Sequence, residues 1–270
     1  MLILALVIEL VLMFATPVIL GVLLQRRWAL PWRLLLIGAA TFIASQVVHL
    51  PLNAGLTVLF QQEWMPKPPE AWTKAFNVIV LGLTAGLCEE SARYLVYRFW
   101  LKEARSWRQA VLFGVGHGGI ESVMTGLLVL VTVLNAVALR NVDPTTLGLS
   151  PDQTAAVASE IAEFWNMPRY MPLLAGAERL MAILFHLSAA ALVLQAFRTG
   201  RIWPLPAAIV WHAVTNAVAV YINTTWGPIA AEGSLAMLSL VSVVILWLTW
   251  RAERMALHTP PGSSDPDQQA

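Results

Sequence analysis

Long apolar runs recur from the second residue to about position 250, separated by short stretches where arginine, tryptophan, proline or aspartate gather. They occupy approximately residues 2–24, 34–60, 74–99, 110–139, 172–198, 204–222 and 233–250. Each, as a helix rising ~1.5 Å per residue, is long enough to cross a ~30 Å hydrocarbon core. The runs do not alternate apolar with polar positions, and they are far longer than barrel strands, so helices are the expected spanning element. The pattern predicts an all-α polytopic membrane bundle of roughly seven transmembrane helices. One break, from about 140 to 171, is long. Within it, Asp143-Pro144 and Ser150-Pro151-Asp152 are turn or helix-start signals, and Ala155 to Trp165 reads as a short amphipathic helix at the outer surface.

Basic residues orient the bundle. Arg26, Arg27 and Arg33 lie between spans one and two, Arg98, Lys102, Arg105 and Arg108 between three and four, Arg198 and Arg201 between five and six, and Arg251 and Arg254 after span seven. The opposite connections hold Lys67, Lys74, Arg140 and Arg169. Because positive charge is retained on the cytoplasmic side, the N-terminus is expected outside and the C-terminus in the cytoplasm, in the cell membrane. Residues 1–258 are expected to form one transmembrane domain, and the Pro-, Ser-, Gly- and Asp-rich stretch 259–270 a disordered cytoplasmic tail.

Composition agrees: 58% of residues are hydrophobic and 12% charged, about half the charged share of a soluble domain. The first run has almost no positive region before it, which argues against a cleaved signal peptide. A net charge of +1 supplies no basic stripe for phosphates, so nucleic acid is not expected as a partner. The single cysteine, Cys88, has no disulfide partner in the chain and reads as a small buried hydrophobe. Trp28, Trp32, Trp100, Trp107 and Trp203 sit at run ends, as in an interfacial aromatic belt.

Against this background the polar residues inside the spans stand out, since each costs a few kcal/mol to insert. Span three carries Cys88-Glu89-Glu90-Ser91-Ala92-Arg93, span four His117-Gly118-Gly119-Ile120-Glu121, span five Glu178-Arg179 and His186, and span six His212 and Asn216. Glu89 and Arg93, His117 and Glu121, and His212 and Asn216 are each four apart and share a helix face. Glu90 points about 100° away from Glu89. Counted from the cytoplasmic ends, Glu90 and His117 lie about 12 Å deep, His212 about 13 Å and His186 about 18 Å. Four helices that place polar groups at one depth predict a shared hydrated cavity, expected to open toward the cytoplasm. Taken singly, such residues also serve as interhelical glue, and Gly118-Gly119 suits either close approach to His117 or tight packing.

A carboxylate beside histidines, with a neutral amide nearby, suits hydrolysis. One glutamate acts as general base toward water, a histidine orients that water, and His212 and Asn216 donate to the oxyanion. The same residues form a zinc set of Glu90, His117 and His212, although neither His-Glu-x-x-His nor any pair of histidines on one helix is present. No Gly-x-Ser-x-Gly elbow and no Gly-x-Gly-Asp motif occurs.

The Glu-Glu-x-x-Arg of span three, the histidine of span four and the His-x-x-x-Asn of span six resemble the CAAX-processing and bacteriocin-processing membrane peptidases and the related PrsW peptidases. Glu89-Glu90-Ser-Ala-Arg93-Tyr94, Gly116-His117-Gly-Gly-Ile-Glu121-Ser122, Phe185-His186 and His212-Ala213-x-x-Asn216 look closest to the YhfC family of intramembrane peptidases, a resemblance that covers about residues 34–222. It implies an intramembrane endopeptidase acting on membrane proteins or peptides in the bilayer. Glu89 or Glu90 would be the base, with His117, His212 and Asn216 catalytic and Arg93, Glu121 and His186 supporting. Within that resemblance a metal-free glutamic mechanism is favoured, with zinc as the alternative. The CAAX-type motif places its arginine one residue further on. The shorter spacing here matches PrsW-like proteins, which carry lysine, and leaves the choice between Glu89 and Glu90 open, with motif order pointing to Glu89.

Three features stand apart. His49-Leu-Pro51-Leu-Asn53 imitates His-x-x-x-Asn but lies about 20 Å or more from the cytoplasmic side, and reads as packing or a substrate gate around a proline kink. His258 falls in the tail, and Glu9 has no assigned role. Buried glutamates and histidines also serve proton-coupled transporters, and a non-catalytic membrane scaffold could retain such a core; halves related by an internal repeat, which would favour a carrier, are not seen.

Overall fold

The computed structural model describes residues 1–258. The tail expected to be disordered, 259–270, lies outside the described residues. Among the described residues eight α-helices follow in order: α1 Leu2–Trp28, α2 Arg33–Gln61, α3 Glu70–Phe99, α4 Trp107–Leu139, α5 Pro151–Asn166, α6 Tyr170–Thr199, α7 Pro204–Trp226 and α8 Pro228–His258. All except α5 are long and apolar enough to cross a membrane. The protein is a multi-pass helical membrane protein, and the seven expected spans coincide with α1–α4 and α6–α8.

The long connection folds as its signals predict. Asp143 opens a 3₁₀ turn, Pro144–Leu147, where the Thr145 N–H holds the Asp143 carboxyl below its ordinary range. Ser150 and Gln153 form a reciprocal capping box at the start of α5, satisfying donors that a helix start leaves free. Trp165 donates from its indole to the Ala136 carbonyl and carries the Arg140 guanidinium over its ring, tying α5 to α4.

α6 runs through the middle of the bundle, where about two thirds of its apolar window is buried. α4 packs beside it, α1 packs against both α4 and α6, α2 against α4 and α3, α8 against α6 and α7, and α3 against α7. Glycines set the closest approaches. A Cβ at Gly82 would stand 2.5 Å from the Ala213 carbonyl oxygen, and one at Gly86 2.6 Å from that of Ile209, so α3 meets α7 backbone to backbone just before Glu89. Gly118 makes room for the His186 ring and Gly119 for Pro17, so this pair serves helix packing rather than substrate approach.

Consecutive spans alternate in direction. One end of the bundle carries the arginine-rich connections α1–α2, α3–α4 and α6–α7, and the other carries α2–α3, the α5 segment and α7–α8. The main core lies toward the arginine-bearing end. There Tyr97, Phe113, Ala190, Ala191, Leu194 and Ala208 are fully buried.

Candidate active site

Glu89, Glu90 and Arg93 on α3, His117 and Glu121 on α4, His186 on α6 and His212 on α7 meet in one cluster at mid-bundle. Arg93 is completely buried at its centre. It pairs closely with Glu90, stands 3.7 Å from Glu89 Oε2, and donates from Nη2 to His186 Nδ1 at 2.6 Å. A guanidinium has donors only, so His186 accepts at Nδ1 and its Nε2–H donates to Glu121. Glu121 also accepts from Arg179 at 3.1 Å, and Arg179 pairs with Glu178. Arg179 turns inward, toward the Glu121 carboxylate.

The two glutamates are held differently. Glu90 has no exposed surface, and its Oε1 takes both Arg93 and, at 2.7 Å, His212 Nδ1. Glu89 lines a cavity of about 110 Å³. Its Oε2 accepts from His117 Nε2 at 3.1 Å, and its Oε1 lies 3.9 Å from His212 Nε2. Asn216 lines the same cavity and makes no side-chain hydrogen bond among the described residues. Each expected site residue thus belongs to the cluster or its cavity, with Glu90 behind and Glu89 in front. Cys88 is half-buried, more exposed than expected.

The cavity does not open where the depth count suggested. Toward the arginine-bearing end it is closed by the packed Tyr97, Phe113 and Leu194. It extends the other way, past Glu121 and Asn216 to Ala219, Arg179 and Glu178. Depth along each helix was readable from sequence, but not which side of that depth is packed solid.

The His49–Asn53 feature, expected to be packing or a substrate gate, is connected to the site. Gln46 Nε2 donates to Glu89 Oε1 at 3.2 Å, and Gln46 Oε1 accepts from His49 Nδ1 at 3.2 Å. Asn53 Nδ2 donates to His49 Nε2 at 2.9 Å, and Thr84 donates to Asn53 Oδ1 at 2.8 Å. Every donor along Asn53–His49–Gln46 points toward the Glu89 carboxylate. Gln46 escaped the sequence reading because a neutral amide carries no charge cost. The available signal was its position three residues before His49, on the same face of α2. Pro51 lies inside α2, which runs on to Gln61.

Glu89, His117 and His186 offer ligand atoms all within 4.8 Å of one another. This is one carboxylate and two imidazoles, a set that catalytic zinc accepts. It differs from the set expected from sequence: Glu90 is committed to Arg93 and His212, and Glu89 takes the open position. His186 and His212 each rest one ring nitrogen on a glutamate, as metal-bound and catalytic histidines both do.

A family model described as YhfC intramembrane metalloprotease matches residues 12–242. A Bacillus subtilis (strain 168) protein named "Uncharacterized membrane protein YhfC" is 29% identical over 245 residues, covering 90% of this chain and 93% of that protein. No solved structure matches.

Proposed function

The chain belongs to the YhfC intramembrane metalloprotease family, and from that membership and its buried cluster we propose that it is an intramembrane endopeptidase that hydrolyses peptide bonds of membrane proteins at Glu89. The observation that carries this reading is the contrast between two adjacent carboxylates: Glu90 is locked to Arg93 and His212, whereas Glu89 borders a cavity alongside His212 and an unengaged Asn216.

The family description carries a metal, and the donor set fits one. Four carboxylates, Glu89, Glu90, Glu121 and Glu178, face two guanidiniums, Arg93 and Arg179, leaving two formal negative charges that a divalent ion would balance. Glu89, His117 and His186 would hold it, with one His186 ring nitrogen giving up its present partner, Arg93 or Glu121. A bound zinc-type ion supplies an acidified water and polarises the scissile carbonyl. The favoured absence of a metal in the sequence reading gains no support from the family description.

The roles of the chain's own residues follow from their positions. Water adds its oxygen to the scissile carbonyl carbon, and a Glu89 oxygen accepts the proton released. The Asn216 amide donates to the oxyanion that forms. A His212 ring whose Nδ1–H rests on Glu90 turns Nε2 toward the same place, and when Nε2 also carries a proton it adds a second donor. The proton on Glu89 then passes to the leaving nitrogen as the C–N bond breaks, giving a new carboxylate and a new amine. Arg93 fixes Glu90, and in the metal-free site Arg93 and Glu121 hold His186 at its two ring nitrogens.

A metal-free glutamic mechanism is the second reading. The specific observation behind it is the Arg93 guanidinium on His186 Nδ1, a cation already seated on a residue of the metal group. To test the proposed activity, membrane-protein fragments with new N-termini would be compared between cells producing the wild type and a His117→Ala variant. Fragments that depend on the wild type and vanish with the variant are expected; identical fragment sets at equal protein levels would overturn it.

A further inference from the structure

The two sides of the cluster are built differently. Toward the arginine-bearing end, the residues that follow Glu90, His117 and His212 are Tyr97, Phe113, Leu194 and Ala208, none with exposed surface. Packing of that kind leaves no room for a chain of waters. On the other side, side-chain exposure rises from 0% at Glu90 to 26% at Glu121 and 36% at Glu178. Glu178 lies eight residues into α6, about 12 Å from the end that carries the α5 segment. The cavity therefore extends from the cluster toward the end without the arginine-rich connections and not toward the other.

Charge supplies a second, independent observation. Arg26, Arg27, Arg33, Arg98, Arg198 and Arg201 border the sealed end. Arginine-rich connections of this length stay on the cytoplasmic side during insertion. Together the two observations decide from which compartment the site is fed.

We infer that water and substrate reach Glu89 from the non-cytoplasmic side of the membrane. The substrates are membrane-anchored chains whose scissile segment enters from the outer half of the bilayer. The identity of those chains as substrates rests on the peptidase reading; the direction of access does not. A cytosolic protein carried on a lipid tail at the inner surface would meet the arginine-bearing end, with Tyr97, Phe113 and Leu194 packed between it and Glu89.

Access can be read without hydrolysis. In a Cys88→Ser background, one cysteine is introduced at Ala219, which lines the cavity, and in a separate variant at Arg201, in the α6–α7 connection. Spheroplasts are treated with a small, membrane-impermeant, charged methanethiosulfonate, before or after permeabilisation. Ala219→Cys is expected to react in intact spheroplasts, and Arg201→Cys only after permeabilisation. Reaction of Ala219→Cys only after permeabilisation, or under neither condition, overturns the inference, as does reaction of Arg201→Cys in intact spheroplasts. Adding Glu89→Gln to the Ala219→Cys variant should leave labelling unchanged, so a failed peptidase assignment and a failed access assignment give different results.

Discussion

Two neighbouring carboxylates on one helix are held differently here because their partners differ. Glu90 spends one oxygen on a buried guanidinium and an imidazole, while Glu89 borders the cavity and receives Gln46 on Oε1 and His117 on Oε2. The amide of Gln46 is aimed by His49, so its removal should disorder Glu89 without touching substrate. Gln46→Leu is expected to lower kcat about 10- to 100-fold with KM unchanged, the size of effect typical of residues that orient an active-site ligand. His49→Asn keeps an N–H near the Nδ1 position and should retain most activity, whereas His49→Phe keeps the ring and loses the donor, and should resemble Gln46→Leu. Steady-state kinetics on the three variants, with thermal unfolding to confirm folding, checks this; equal activity of Phe and Asn at position 49 would remove the orienting role. Spacing along single helices made Glu89–Arg93 and His212–Asn216 readable in the sequence. It could not reveal Gln46–Glu89, which exists only because α2 lies beside α3.

At the scale of elements, apolar runs located all seven spanning helices, and the remaining differences lie at their ends. α3 begins at Glu70 rather than near 74, and α8 continues to His258 rather than ending near 250. Hydropathy marks the hydrocarbon core, whereas helical hydrogen bonding continues into the interface. Which helices touch was not readable, because it depends on small residues meeting across a gap. Gly82 and Gly86 hold α3 against α7 and so bring Glu90 to His212. A methyl at Gly86 forces the two backbones apart. Gly86→Ala is therefore expected to cost about 1–3 kcal/mol of stability, as overpacking does, and to reduce activity through the Glu90–His212 contact. Gly55→Ala, where an added Cβ meets nothing within 4 Å, should leave both unchanged. Thermal unfolding in detergent, paired with a cleavage assay, distinguishes the two positions.

For the whole molecule, a multi-pass bundle seals its charges from one side and admits solvent to them from the other. The charge count and the donor group both favour a divalent ion, so chelation of the purified protein is expected to abolish cleavage, and zinc added back to restore it. Metal analysis should find the ion lost from Glu89→Ala and His117→Ala; full activity after exhaustive chelation would select the metal-free mechanism. Both mechanisms share the claim that Glu89 takes part in splitting water across a peptide bond within the membrane. The most direct test reconstitutes wild type and Glu89→Gln in lipid with a membrane-spanning peptide library in oxygen-18 water, and reads the products by mass spectrometry. The account predicts wild-type fragments carrying heavy oxygen in their new carboxyl termini and no fragments from Glu89→Gln of equal thermal stability. Cleavage by Glu89→Gln at the wild-type rate would contradict it.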